Sequence, residues 1–171
     1  MREHMLSIDP GLKPGVVEWE REDNITTGAW GPWQIKRIDH RLRPWVLAAP
    51  GWDVVVTELQ WLFPKKPGTP KGRGEDNPAS ILQLAFRAGF TLASIPAMRR
   101  MALLPQTWRG STALSKEQVQ AGIARSLSPA EKELFRDVPE SRHGDILDAI
   151  GIGRGAQKVL HTDEYDWHFG K

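Results

Sequence analysis

Four carboxylates stand where a carboxylate is hard to explain. Asp9 closes the run Leu-Ser-Ile-Asp before Pro-Gly, Glu58 closes Asp-Val-Val-Val-Thr-Glu, and Asp145 and Asp148 lie three apart in His-Gly-Asp-Ile-Leu-Asp-Ala-Ile-Gly. Each ends or interrupts an apolar segment that otherwise reads as core. An acid placed there costs several kcal/mol unless a positive group compensates it. The chain has no cysteine and no clustered histidine, so thiolate sites are excluded and oxygen and imidazole are the only ligands left for a metal. Hard divalent cations take oxygen ligands. Four acids suit two Mg2+ ions about 4 Å apart, one activating water and one stabilising the leaving oxygen of a phosphodiester, with Mn2+ as a substitute.

Each acid also has a plainer reading. Asp9 before Pro-Gly is a natural turn residue. Glu58 reads equally as a surface acid at a strand end, and Asp145 as an acid favoured by the dipole of a helix start. The joint arrangement outweighs these readings, because several coincidences would have to fall in the right kind of element.

The elements that must position the acids are legible. Glu3 to Ile8, ended by Asp-Pro-Gly, reads as a short buried strand, and Gly15 to Trp19 as a return strand with turn chemistry from Lys13-Pro14-Gly15. Trp33 to Ile38 reads as a third strand, and His40 to Leu47 as a short helix stopped before Pro50-Gly51. Asp53 to Leu59 is a valine-rich strand apolar on both faces, as a central strand is. A helix opens at Asn77-Pro78 and runs to about Leu92, with Ile81, Leu82, Ala85, Phe86 and Gly89 at helical spacing on one side. Segment 101–109 reads as a strand near an edge, interrupted by Pro105. Ser115 caps a helix over Lys116 to Leu127, Ser128-Pro129 opens one over 129–136, and the last helix runs from about Gly144 to Val159. The pattern predicts an α/β fold, a mixed sheet with helices on its faces. Asp9 and Glu58 then end adjacent strands, and a spacing of three puts Asp145 and Asp148 on one helix face.

Composition sets the frame. With 171 residues, 40% hydrophobic and 26% charged, the chain is expected to form one domain over 1–171, with a loose tail from His161. It has no apolar run long enough to span a membrane, and the expected location is cytoplasmic. The formal charge of +2 is unevenly spread: a loop over about 62–77 holds Lys65, Lys66, Lys71 and Arg73 with no acid between residues 64 and 74. That is the local signature of a phosphate-facing loop, and equally of a solvated one.

Ile-Asp-Pro-Gly on the first strand, an apolar strand ending in Glu58 with an aromatic three residues on, and Asp-x-x-Asp-Ala-Ile on the last helix together resemble the RuvC-type Holliday junction resolvases of the ribonuclease H-like superfamily. The resemblance follows the motif order along nearly the whole chain. It implies that Asp9, Glu58, Asp145 and Asp148 bind the metals. It further implies that Lys116 assists at the reacting phosphate and that Trp61 stacks on bases opened at a junction centre, although Trp61 also reads as a core residue. With Lys65 and Lys66 following, DNA contact is the favoured reading for Trp61. The implied activity is a metal-dependent endonuclease acting on four-way junctions as a homodimer, leaving 5′-phosphate and 3′-hydroxyl ends. Two features depart from the family: the loop after Trp61 is longer and richer in proline, and Trp108, with Arg109 beside it, occupies a basic position. A phage member, a broader debranching nuclease and a non-catalytic DNA binder are the neighbouring possibilities. An actin-like protein, which shares only the first motif, would need further glycine-rich phosphate loops and a much longer chain.

Overall fold

The computed structural model describes residues 1–43, 46–47, 51–59, 78–110 and 114–160. Five strands form one sheet: β1 (Arg2–Asp9), β2 (Gly15–Glu22), β3 (Gln34–Asp39), β4 (Trp52–Glu58) and β5 (Ala97–Leu103), in the order β3-β2-β1-β4-β5. β1, β2 and β3 form an antiparallel meander, and β4 and β5 run parallel to β1. The fold is therefore α/β with a mixed sheet flanked by helices, as the sequence pattern predicts. The register pairs Ile8 with Thr57. Asp9 and Glu58, the next residue on each strand, consequently leave the sheet side by side.

The helices are α1 (Pro78–Ser94), α2 (Pro105–Arg109), α3 (Lys116–Ser126), α4 (Pro129–Glu133) and α5 (His143–Leu160), with a single 3-10 turn over Glu140–Arg142. Ser115 and Ser128 cap α3 and α4, each in a reciprocal capping box with the Gln118 or Glu131 side chain. Two expectations are corrected. Segment 101–109 is not one strand: β5 ends at Leu103, and Pro105, which has no amide to donate, opens α2 at its first turn. The helix expected from His40 is also absent over His40–Arg43, where the Asp39 carboxylate accepts from the His40 and Arg41 amides and holds a turn; among the described residues of that segment, 46–47 are helical.

α5 covers one face of the sheet, and its packing explains an unpromising sequence. Gly-Ile-Gly-Arg-Gly in a helix costs about 1 kcal/mol per glycine. A Cβ on Gly153 would stand 2.5 Å from the Trp19 indole nitrogen, and one on Gly151 or Gly155 would stand 2.4 or 2.7 Å from Trp108. The glycines are thus the sockets for two tryptophans. Burying one indole removes roughly 150–250 Å2 from water, about 4–6 kcal/mol at 25 cal/mol per Å2. Two of them outweigh the lost helix propensity. Trp19 also donates to the buried Ser7 hydroxyl at 2.8 Å, so its polar edge is satisfied. Around these rings Met5, Val17, Val54, Val56, Met101, Ile146, Ile150 and Ile152 complete the main core.

The other face buries Leu6, Ile8, Val16, Val46, Trp52, Val55 and Ile95. α1 lies against β4 and β5 there with Ala88 and Thr91 buried. Its opposite side is apolar yet exposed: Leu82, Phe86 and Phe90 are 62%, 73% and 65% accessible. Of the tryptophans in the first half of the chain, Trp19 and Trp52 are buried, Trp33 is half-buried and Trp30 is 40% exposed; Trp45 lies outside the described residues. Among the described residues no helix is long and apolar enough to cross a membrane.

Candidate active site

The site is built where β1, β4 and α5 meet. The turn after Asp9 brings β2 back at Gly15, and a Cβ on Gly15 would fall 2.0 Å from the Asp145 carbonyl oxygen. Only glycine lets the first turn of α5 come this close to the strand end. Asp148, one turn further along, is then carried to the edge where Asp9 and Glu58 emerge.

Glu58 is 4% exposed and Asp148 3%. Trp108 Nε1 donates to Glu58 Oε2 at 2.6 Å, and Arg109 Nη2 donates to both its oxygens at 3.3 and 3.4 Å. Asp148 Oδ2 lies 2.6 Å from Lys116 Nζ, while its Oδ1 accepts from Gln120 Nε2 at 2.9 Å. Asp9 is served worst: among the described residues its carboxylate accepts only the Gly11 amide, at 3.3 Å. Burial, then the negative charge of Asp148 and more weakly that of Glu58, push Asp9 up to about 7 against the opposing pull of Lys116. Burial also raises Glu58, with Arg109 and the Trp108 hydrogen bond acting against it. For Lys116, burial alone would lower the pKa; the Asp148 hydrogen bond and the charges of Asp148 and Asp9 win and hold the ammonium above the ordinary lysine range.

Asp9, Glu58, Asp148 and Lys116 therefore sense one another across one sheet edge. Asp145 is turned elsewhere: its Oδ2 lies 2.9 Å from Nη1 of the buried Arg142. Each acid is drawn to its own cation or donor, and among the described residues no three His, Asp or Glu side chains stand close enough to grip a metal together. The donor set itself fits a hard divalent cation. It is all carboxylate, and burial together with the charges of Asp148 and Glu58 raises Asp9 against the pull of Lys116.

Two participants escaped the sequence reading, and Trp108 was named there without this role. Gln120 lies four residues after Lys116 in a well-capped helix, a spacing that places both side chains on one face. Arg142 lies three before Asp145 and reaches back to the Pro14 and His40 carbonyl oxygens at 3.3 and 3.1 Å. Trp108 is a hydrogen-bond donor to an acid, a role no local pattern announces. His143 takes no part: its Nε2 lies 3.0 Å from the Val138 carbonyl oxygen and its ring packs edge-on against Phe135. Trp61, Lys65, Lys66, Lys71 and Arg73 lie outside the described residues.

Neither a protein-family model nor a curated protein sequence matches the chain. Among solved structures it is similar to the fowlpox virus resolvase in complex with Holliday junction DNA, at 13% identity and a TM-score of 0.47, over 93% of this chain and 99% of that one. What the site can do is decided by its own residues.

Proposed function

We propose that the protein is a divalent-metal-dependent endonuclease that nicks branched DNA, with the four-way junction as its leading substrate. One observation carries the reading: Asp9, at the end of a central strand, is buried beside the carboxylates of Glu58 and Asp148 and, among the described residues, accepts only the Gly11 amide. A core that needed only stability would not keep such a group. The motif order along the chain supports the same reading.

Two divalent cations held by Asp9, Glu58, Asp148 and Asp145 would supply Lewis-acid chemistry: an ionised water and charge stabilisation on a phosphodiester. The chain's own residues do the rest. Lys116 and Arg109 carry fixed positive charge to the edge where a phosphate would lie. Trp108 and Gln120 hold one oxygen of Glu58 and one of Asp148, so each carboxylate enters the site oriented rather than free to rotate. Asp145, paired with Arg142 in this structure, would have to exchange that partner for a cation to join the set.

A junction has two-fold symmetry and resolution needs two equivalent cuts, which calls for a C2 dimer with one site per chain. The exposed Leu82, Phe86 and Phe90 side of α1 supports that assembly. A wider debranching activity is the second reading, favoured by the long basic loop over about 62–77. In either case the enzyme works wherever the DNA is, in the cytoplasm of a cell or of a viral host.

The test is incubation of purified protein with labelled four-way, three-way and linear duplex DNA, with Mg2+ or with chelator. Symmetric nicking of the four-way substrate, only with metal, is the expected result. Equal cutting of three-way and four-way forms selects debranching, and no cutting of any form removes the nuclease reading.

A further inference from the structure

Beside the carboxylate edge lies an open cleft of about 360 Å3, lined by Lys13 and Pro14 of the β1–β2 turn, His40 and Arg41 at the end of β3, and Ser141 and Arg142 ahead of α5. No acid lines it. Arg142 forms its floor and is 7% exposed. The Nη2 of Arg142 ties the cleft's walls together through the Pro14 and His40 carbonyl oxygens. Its Nη1 is paired with the Asp145 carboxylate at 2.9 Å. Lys13 and Arg41 are exposed at the rim, and among the described residues neither side chain has an acidic partner. The nearby Asp39 carboxylate is already held by Arg43 at 2.7 Å and by the His40 and Arg41 amides.

From this arrangement we infer that the cleft is a second phosphate-binding site, which takes a backbone phosphate of the nucleic acid that is cut at the carboxylates. The inference rests on the DNA-cutting reading of that edge and extends it. Two exposed rim cations beside a buried guanidinium match the tetrahedral, multiply accepting oxygens of a phosphate. The cleft is open rather than enclosed, which suits a continuous strand better than a small free anion. It is also fastened to the reacting edge at two points: Pro14 belongs to the turn that leaves Asp9, and Arg142 holds Asp145. A phosphate seated here would fix the register of the strand. It would read no sequence, because contacts to phosphate carry none.

Lys13 and Arg41 are the residues to change, since both are exposed and neither supports the fold as Arg142 does. Wild-type protein, a Lys13→Ala/Arg41→Ala variant and a Lys13→Gln/Arg41→Gln variant are titrated with a four-way junction and with linear duplex in chelator over a series of salt concentrations. Their folded state is checked by circular dichroism. The slope of log affinity against log salt is expected to fall by roughly two units in both variants. One backbone position whose replacement by methylphosphonate weakens wild-type binding is expected to have no effect on the variants. Wild-type binding with an unchanged slope in both folded variants would overturn the site, even if the junction is cut. Binding to duplex with the expected drop, but no cutting of any branched form, would keep the site and discard the nuclease reading. Failure of the wild-type protein to bind either DNA would remove both.

Discussion

Asp9 is the residue on which the chemistry turns, and its environment gives two separable predictions. The folded protein holds the Asp9 proton to about pH 7, whereas an unfolded aspartic acid releases it near 3.8. Between those values the folded state binds more protons than the unfolded one, so stability falls as pH rises through the window and levels off above it. At 1.36 kcal/mol per unit, the loss is a few kcal/mol. Chemical denaturation in metal-free buffer across that range should show this slope in wild-type protein and a flatter one in Asp9→Asn. Above pH 7, added Mg2+ should raise the melting temperature of the wild type and leave Asp9→Asn unmoved. For catalysis, Asp9→Asn, Glu58→Gln, Asp145→Asn and Asp148→Asn should each reduce junction cutting to background while binding stays equal or tightens, because a ligand charge is lost together with repulsion of phosphates. Asp145 is the most searching of the four, since its partner in the structure is Arg142. Cutting retained in two or more of the variants would end the two-metal assignment.

At the scale of elements, α5 is a helix chosen for fit over propensity. Gly153→Ala puts a Cβ 2.5 Å from the Trp19 ring. The overpacking penalty, about 1–3 kcal/mol, should exceed the helix propensity of about 1 kcal/mol that alanine adds. Gly122→Ala in α3 meets nothing within 4 Å and should stabilise by about 0.5–1 kcal/mol. Urea midpoints of the two variants should therefore move in opposite directions. The same substitution has two signs because one glycine is a socket for a ring and the other is open to solvent.

At the scale of the molecule, the α1 face and the basic loop decide how DNA is engaged. If α1 joins two copies, the protein should sediment at twice its 19.2 kDa chain mass at micromolar concentration. Phe86→Glu or Gly89→Arg should then give monomers that lose paired cutting, since both positions face outward and neither substitution disturbs a core contact. A wild-type protein that stays monomeric when saturated with junction DNA would defeat the symmetry argument. Neutralising Lys65, Lys66, Lys71 and Arg73 together should weaken DNA binding and flatten its salt dependence by up to about four units of slope. An unchanged slope would make the loop a bystander.

The sequence by itself determined the elements that carry the acids. Period-two strands, a valine run closed by Glu58, serine caps and a three-residue acid spacing are local signals, and local steric and hydrogen-bonding rules suffice to read them. The end of β5 and the start of α2 were harder to see, because Pro105 reads as well as an interruption at an edge as it does as a helix opener. The site's charge balance was beyond any local pattern. That Trp108 donates to Glu58 and that Gln120 and Lys116 share Asp148 are contacts between segments tens of residues apart. Tertiary structure alone decided them, because burial sets both the penalty on each charge and the partner within reach to offset it.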